Sequence, residues 1–370
     1  MSKHFNYGYY DVAMRFSFRH ASASRKRTCS FIVEITDSNG LCGYGEGCPR
    51  EYVTGETIAS VELFLKTYGQ DFAWRINSLE ELQSWIEQNA PMIDRNPAAF
   101  CALELAAIDL LAKQQQTTAE QLLGFNLMAE PARYTAVVGN SSVLTTRLIT
   151  WAYRVYGLQD FKIKLSGQLQ HDRRRLAVLP HNARYRVDAN NLWTTDTEVI
   201  DYFLSLNTTP WAIEEPVAAS DYQSLASVSA QLKTPVILDE SLYTKYQLGQ
   251  AVGHLPFAIA NIRVSKCGGI LRSVRLANRC LKAGYDVILG AQVGETSLLT
   301  RAALIVANGM TRPPIAREGA YGTILLKTDI CQNSLKFKRS GLLSPDACYT
   351  EQQSGLGIDV MRETVKWASG

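Results

Sequence analysis

Phe161-Lys162-Ile163-Lys164-Leu165, Tyr185-Arg186-Val187-Asp188, Trp211-Ala212-Ile213-Glu214, Pro235-Val236-Ile237-Leu238-Asp239 and Ala258 to Val264 are short apolar runs, each carrying a charged residue at or next to its end. Tyr134 to Val138 and Asp286 to Leu289 extend the series on either side, and segments of helical periodicity such as Arg272 to Ala283 lie between the runs. Strand alternating with helix predicts parallel strands. The spacing decides the fold: Lys164 to Asp188 is 24 residues, Asp188 to Glu214 is 26, Glu214 to Asp239 is 25, and Asp239 to Arg263 is 24. That is the length of one βα unit in a barrel whose active residues stand at the C-terminal ends of successive strands. An apolar strand has no packing reason to end on a charge, so this repetition places chemistry at one mouth.

Outward from this core the texture changes. Upstream, Phe31 to Thr36 reads as a strand and Asp37-Ser38-Asn39-Gly40 as a turn. Pro97 to Lys113 reads as a buried helix, because Glu104 and Asp109 are set among Ala and Leu. Downstream, Ser334 to Lys338 and Gly355 to Val360 are strand candidates outside the rhythm. A chain of 370 residues allows about two domains. Its 46% hydrophobic and 20% charged residues exclude disordered, collagen-like and coiled-coil classes.

Lys+Arg 38 against Asp+Glu 35 is too even for a nucleic-acid binder. The densest basic run, Arg25-Lys26-Arg27 below Arg19 and His20, reads as a solvated loop or as a lid that attracts an anionic small molecule. Eight cysteines without a CxxC pair suggest reduced thiols and a cytoplasmic setting. With no signal-like h-region and no run of 18 apolar residues, neither secretion nor membrane spanning is expected.

Asp188, Glu214 and Asp239 end three consecutive strands, and three carboxylates so close need a cation to stay ionised. A hard divalent ion answers that need: one Mg²⁺ per chain, with Mn²⁺ as the alternative. Three separate ion pairs are the competing reading. Lys162 and Lys164 share a strand face, where each lowers the other's pKa, so that one can serve as a general base. Asn190 shares the Asp188 face, whereas Glu215 and Glu240 follow ligands and point away from them by strand alternation. The combined expectation is a metal that holds a substrate carboxylate while an amine removes the adjacent proton, the charge passing into an enediolate.

These motifs (KIK, VDANN, IEEP, LDES and SKCGG) resemble the enolase superfamily, and within it the muconate-lactonizing-enzyme subgroup of muconate cycloisomerases, o-succinylbenzoate synthases and dipeptide epimerases. Gly43-Tyr44-Gly45-Glu46 and Thr54-Gly55-Glu56 resemble its capping domain, and Gly355-Leu356-Gly357 its C-terminal return. The resemblance implies an α/β fold, a modified TIM barrel (β/α)₇β with an α+β N-terminal capping domain. The expected boundaries are 1–128 for the cap, 129–330 for the barrel and 331–370 for the returning segment. It implies Asp188, Glu214 and Asp239 as Mg²⁺ ligands, Lys164 as acid/base with Lys162 beside it, and Thr54, Asn190, Glu240, Lys266, Glu295 and Glu318 near the substrate or just behind it. A small-molecule carboxylate substrate and a homo-oligomer are expected, with no nucleic-acid or membrane partner.

One position breaks the pattern. Where this subgroup carries a second catalytic lysine on the sixth strand, the chain has Arg263. A guanidinium stays protonated and makes a poor proton shuttle. Lys266 has the opposite strand parity and does not replace it. The eighth-strand region, Arg317 to Thr323, lacks the paired aspartates with which dipeptide epimerases hold an ammonium group. The leading expectation is a cycloisomerase-type isomerase using Lys164 as a single base. Next come a syn-dehydratase of the o-succinylbenzoate synthase kind, a racemase or dipeptide epimerase, and a non-catalytic relative.

Overall fold

The computed structural model describes residues 3–20, 23–349 and 354–368. The N-terminal strands are β1 (His4–His20), β2 (Ala23–Thr36) and β3 (Cys42–Gly47). They form an antiparallel meander whose turn at Asp37 to Gly40 is closed by the Gly40 N–H donating to the Asp37 carbonyl. Helices α1 (Glu51–Thr54), α2 (Ile58–Arg75), α3 (Leu79–Gln88), α4 (Ala90–Arg95), α5 (Pro97–Gln114) and α6 (Ala119–Leu123) follow. Of the basic run, Arg27 pairs with Asp11 at 3.0 Å on the exposed hairpin, while the side chains of Arg19, His20 and Arg25 lie outside the described residues.

The buried α5 rests directly on β3. Gly43, Gly45 and Gly47 share one strand face, and a Cβ on them would run into the α5 carbonyls of Ala106, Ala102 and Ala98. The intervening side chains, Tyr44 and Glu46, point away from α5. The alternation of glycine along β3 is therefore a packing device that brings helix and strand backbones together.

Short β4 (Ala132–Arg133) precedes the barrel strands β5 (Ala136–Val138), β6 (Asp160–Lys164), β7 (Arg184–Asp188), β8 (Ile213–Glu214), β9 (Val236–Leu238), β10 (Ile259–Ile262), β11 (Asp286–Leu289) and β12 (Ala316–Arg317). They run parallel in sequence order, and the Thr135 N–H donates to the Arg317 carbonyl across the closing seam. Between successive strands lie α7 (Val143–Val155), α8 (Leu169–Ala177), α9 (Asp196–Leu206), α10 (Tyr222–Leu232), α11 (Lys245–His254), the single turn α12 (Val264–Cys267) with α13 (Ile270–Lys282), and α14 (Ser297–Asn308). This is the (β/α)₇β barrel. The chain end returns: β13 (Leu342–Leu343) pairs with β4, and β14 (Lys366–Trp367) adds to β1.

Two expected strands do not form. Around Ser334 to Lys338 and Gly355 to Val360, backbone groups go to side chains and to scattered loop carbonyls, such as Phe337 N–H to the Ala320 carbonyl, rather than to a ladder. The Leu335 N–H donates to Ser297 Oγ, and the Leu356 N–H to Asp109 Oδ1 at 2.7 Å. Among the described residues these segments make only isolated bridges, Thr118–Gly355 and Cys331–Val360.

Buried carboxylates seat the cap on barrel helices. Glu104 of α5 accepts the Ile270 and Leu271 N–H groups that open α13, and Glu46 of β3 accepts those of Thr296 and Leu299 at the start of α14. Helix N-termini expose unpaired N–H groups and favour negative charge. The Gly269 of the SKCGG motif makes the first seat possible. It has φ +100°, and a Cβ there would overlap the Glu104 carboxylate.

Burial pushes Glu104 up to about 8 from 4.5, against the two backbone donors. The folded state then holds a proton that the unfolded chain releases between about pH 4.5 and 8, so this group's contribution to stability falls as pH rises through that window. Glu104→Gln imitates the protonated form. Its melting temperature should decline less between pH 5 and 8 than that of the parent, as followed by calorimetry.

Candidate active site

The strand ends are level. Lys164 pairs in register with Asp188, and Asp188 with Glu214, so their side chains emerge side by side at the barrel mouth. Asp239 follows β9 directly and Arg263 follows β10. Lys162 Nζ lies 2.8 Å from Glu214 Oε1 and 3.1 Å from Asp188 Oδ2, and Lys164 Nζ lies 3.1 Å from the same Asp188 oxygen. Lys164 also donates to Asn190 Oδ1 at 2.7 Å, so Asn190 acts on the amine.

The electrostatics separate these groups. Burial opposes ionisation of Asp188, but Lys162 and Lys164 hold it well below its ordinary range. Burial pushes Glu214 up to about 7; Lys162 opposes this, while Asp188, Glu318 and Asp239 add to it. The lowering expected of a lysine beside a second cation is not what Lys162 shows. Burial does favour its neutral form, but Asp188, Glu214 and Glu318 outweigh that and hold the ammonium well above its ordinary value.

Arg263 reaches into the acidic group. Its Nη2 pairs with Asp239 Oδ2 and stands 3.8 Å from Glu214 Oε1, and its Nη1 donates to Gln292 Oε1 at 3.1 Å. Lys266 is fully buried beneath Asp239, donating to Oδ1 at 2.7 Å and to the carbonyls of Asp239 and Asn261. It braces the carboxylate from below.

The other expected positions sort by their partners. Glu318 is buried and occupied, by Arg186 at 2.7 Å and Lys162 at 3.3 Å. Glu295 accepts the Gln292 N–H at 2.9 Å and so positions the residue that holds Arg263. Glu240 is buried with Oε2 lacking a hydrogen-bond partner, and burial together with Asp239 and Glu215 raises it far above the carboxylate range. Thr54 donates to Glu56, which caps the start of α5 through the Ala98 and Ala99 N–H groups, so its hydrogen bond lies within the cap.

Sequence reading missed Asn261, Gln292 and Arg186. Asn261 Nδ2 donates to Glu214 Oε1 at 2.9 Å, and Arg186 ties Asp160 to Glu318 inside the barrel. Strand parity held the signal for two of them: Asn261 lies two residues before Arg263, and Arg186 two before Asp188.

Among the described residues, no three His, Cys, Asp or Glu side chains form a ready metal cage. The physical reason is that ammonium and guanidinium groups stand among Asp188, Glu214 and Asp239. Even so, the donor set suits a hard cation. Three carboxylates at adjacent strand ends share cations, Lys162 between Asp188 and Glu214 and Arg263 between Glu214 and Asp239, and the buried Glu214 Oε2 has no hydrogen-bond donor.

The Enolase C-terminal domain-like family model matches residues 147–364, more than half of the chain. The L-Lys-D/L-Arg epimerase of Desulforapulum autotrophicum is 30% identical, the match covering 89% of this chain and 90% of that protein. The hydrophobic dipeptide epimerase of Enterococcus faecalis is 26% identical over 94% of this chain and 96% of its own length. Its structure, solved with Mg and the dipeptide L-Leu-L-Tyr, superposes with a TM-score of 0.79 at 24% identity, covering 96% and 98% of the two chains. The 2-chloromuconate cycloisomerase of Rhodococcus opacus superposes with a TM-score of 0.85 at 20% identity, covering 98% and 97%.

The chain belongs to the enolase superfamily. It is an α-proton-abstracting enzyme among relatives that are isomerases.

Proposed function

We propose that this enzyme removes the proton α to a small-molecule carboxylate with Lys164 as its single base, in an isomerisation of the cycloisomerase type. The observation that carries the reading is the pairing of Arg263 with Asp239 and Gln292. β10 lies four strands from β6 in the eight-stranded order, so Arg263 faces Lys164 across the mouth. A guanidinium there supplies charge and takes no proton.

Lys164, in its neutral form, takes the α-proton on one face of the substrate and returns it, or leaves it on the product, from that same face. Asn190 fixes the amine's direction, and Lys162 and Arg263 offset the negative charge that develops on the substrate. Asp188, Glu214 and Asp239 would hold Mg²⁺, which supplies Lewis-acid stabilisation of that charge. Because Arg186 and Lys162 already occupy Glu318, the eighth strand offers no open carboxylate for a substrate ammonium. That favours substrates without a free amine near the reacting carbon.

Epimerisation is the competing reading, favoured by the activities of the two curated relatives, and it needs a base on each face. Incubation with Mg²⁺ and a panel of carboxylates in D₂O, followed by NMR, separates the two. Deuterium entering the α position with retention, or ring closure without inversion, is expected; exchange with inversion would sink the single-base reading. Arg263→Lys should gain measurable inversion, since it restores a titratable amine on the second face. Asp188→Asn should weaken Mn²⁺ binding at least tenfold in a titration read by electron paramagnetic resonance.

A further inference from the structure

Helix α7 packs Ile149 and Tyr153 onto the core and yet carries a second apolar face outward. Its buried positions include Thr146 and Thr150, while Leu144, Leu148, Trp151 and Val155 are 68%, 58%, 65% and 65% exposed. The two buried threonines have their own explanation. Thr146 Oγ1 accepts from Nε of the fully buried Arg175 of α8, and Thr150 bonds back to the Thr146 carbonyl. Among the described residues the outward face has none. Its residues fall at spacings of four, three and four, which is the seam period of two helices packed side by side.

We propose that this stripe is an interface with a second copy of the chain, α7 against α7 about a two-fold axis. The four side chains present on the order of 500 Å² of apolar surface, at the upper end of what a monomer shows. Doubled across a two-fold axis, that is about 1,000 Å², the size at which a specific interface begins. The stripe complements itself when antiparallel. With the axis between Leu148 and Trp151, Leu144 meets Val155 of the other copy and Leu148 meets Trp151, a small or branched side chain against a larger one at each level. In that register the exposed Arg147 and Arg154 face Ala152 and Thr145 instead of one another. The stripe lies on the barrel's outer wall, and none of its residues contributes to the mouth.

Analytical ultracentrifugation of the whole protein at micromolar concentration should give a dimer or a higher even assembly. Trp151→Glu should halve the mass while circular dichroism and turnover stay at parental values, and Trp151→Phe should keep the parental mass. If Trp151→Glu folds poorly, Leu148→Glu serves as a second variant. Leu144→Cys combined with Val155→Cys should give an inter-subunit disulfide on mild oxidation, seen as a doubled band on a non-reducing gel. A monomeric parent overturns the proposal, as does a variant of unchanged mass. So does a parental monomer that sediments with vesicles of anionic phospholipid, which would make the stripe a membrane contact.

Discussion

Lys164→Met should cut α-proton exchange by a factor of about 10² to 10⁴, the range that a positioned general base contributes. Methionine keeps the length of the side chain and removes only the amine. The loss then falls on the proton-transfer step, because the substitution leaves the packing of β6 nearly intact. Asp188 loses one of its two ammonium partners but keeps Lys162 at 3.1 Å. Mn²⁺ binding, which depends on the carboxylates, should therefore survive in the variant, and the split between retained metal and lost exchange is the diagnostic result. Exchange at parental rates in Lys164→Met would transfer the base elsewhere. The parallel substitution Lys162→Met should behave differently: it removes a counter-charge shared by Asp188, Glu214 and Glu318, so stability and metal binding should change together with rate.

Glu120→Ala should lower the stability of the whole molecule by about 3–5 kcal/mol, the cost of leaving one partner of a buried ion pair without the other. Glu120 of α6 and Arg301 of α14 are both essentially inaccessible and bond in parallel, Nη1 to Oε1 and Nη2 to Oε2, each at 2.7 Å. Tyr349 donates its hydroxyl to the same carboxylate at 2.6 Å, and Arg301 Nε donates to the Leu356 carbonyl. Burial works against the ionised Glu120, and Arg301 overrides it and holds the group below its ordinary range. Removing the carboxylate strands a guanidinium that has no path to water. Urea unfolding should show a lower midpoint at unchanged slope, and Glu120→Gln, which keeps a hydrogen-bond acceptor, should lose less. The pair's contacts are all away from the barrel mouth, so exchange activity of the folded fraction should be unaffected.

What was legible in the sequence is what strand periodicity writes repeatedly. Asp188, Glu214, Asp239 and Arg263 could be placed because each ends a run of about 25 residues, and the barrel puts such ends together by construction. The buried character of Glu104 and Asp109 was also visible, since charges inside an Ala- and Leu-rich helix must find partners. Which partners they find was not visible, because Ile270 and Leu356 lie more than 160 residues away. The direction of the Lys162 shift was hidden for a related reason. Its neighbour Lys164 is two residues off in sequence, whereas the carboxylates that set its charge come from three other strands. The two false strands near the C-terminus fail because apolar alternation marks burial, and burial there is reached with hydrogen bonds to scattered side chains and loop carbonyls instead of a neighbouring strand.

The carboxylate seats described above bear on how the chain is made. Glu46 and Glu104 leave the ribosome some 250 and 166 residues before the backbone groups that receive them. Until α13 and α14 exist, the cap carries buried-type acids without the backbone donors that seat them, so it gains little by folding early. Contacts of such long sequence separation also slow the folding that follows. A nascent chain stopped short of residue 299 should therefore remain open to proteases and chaperones, and the cap and barrel should mature as one late event.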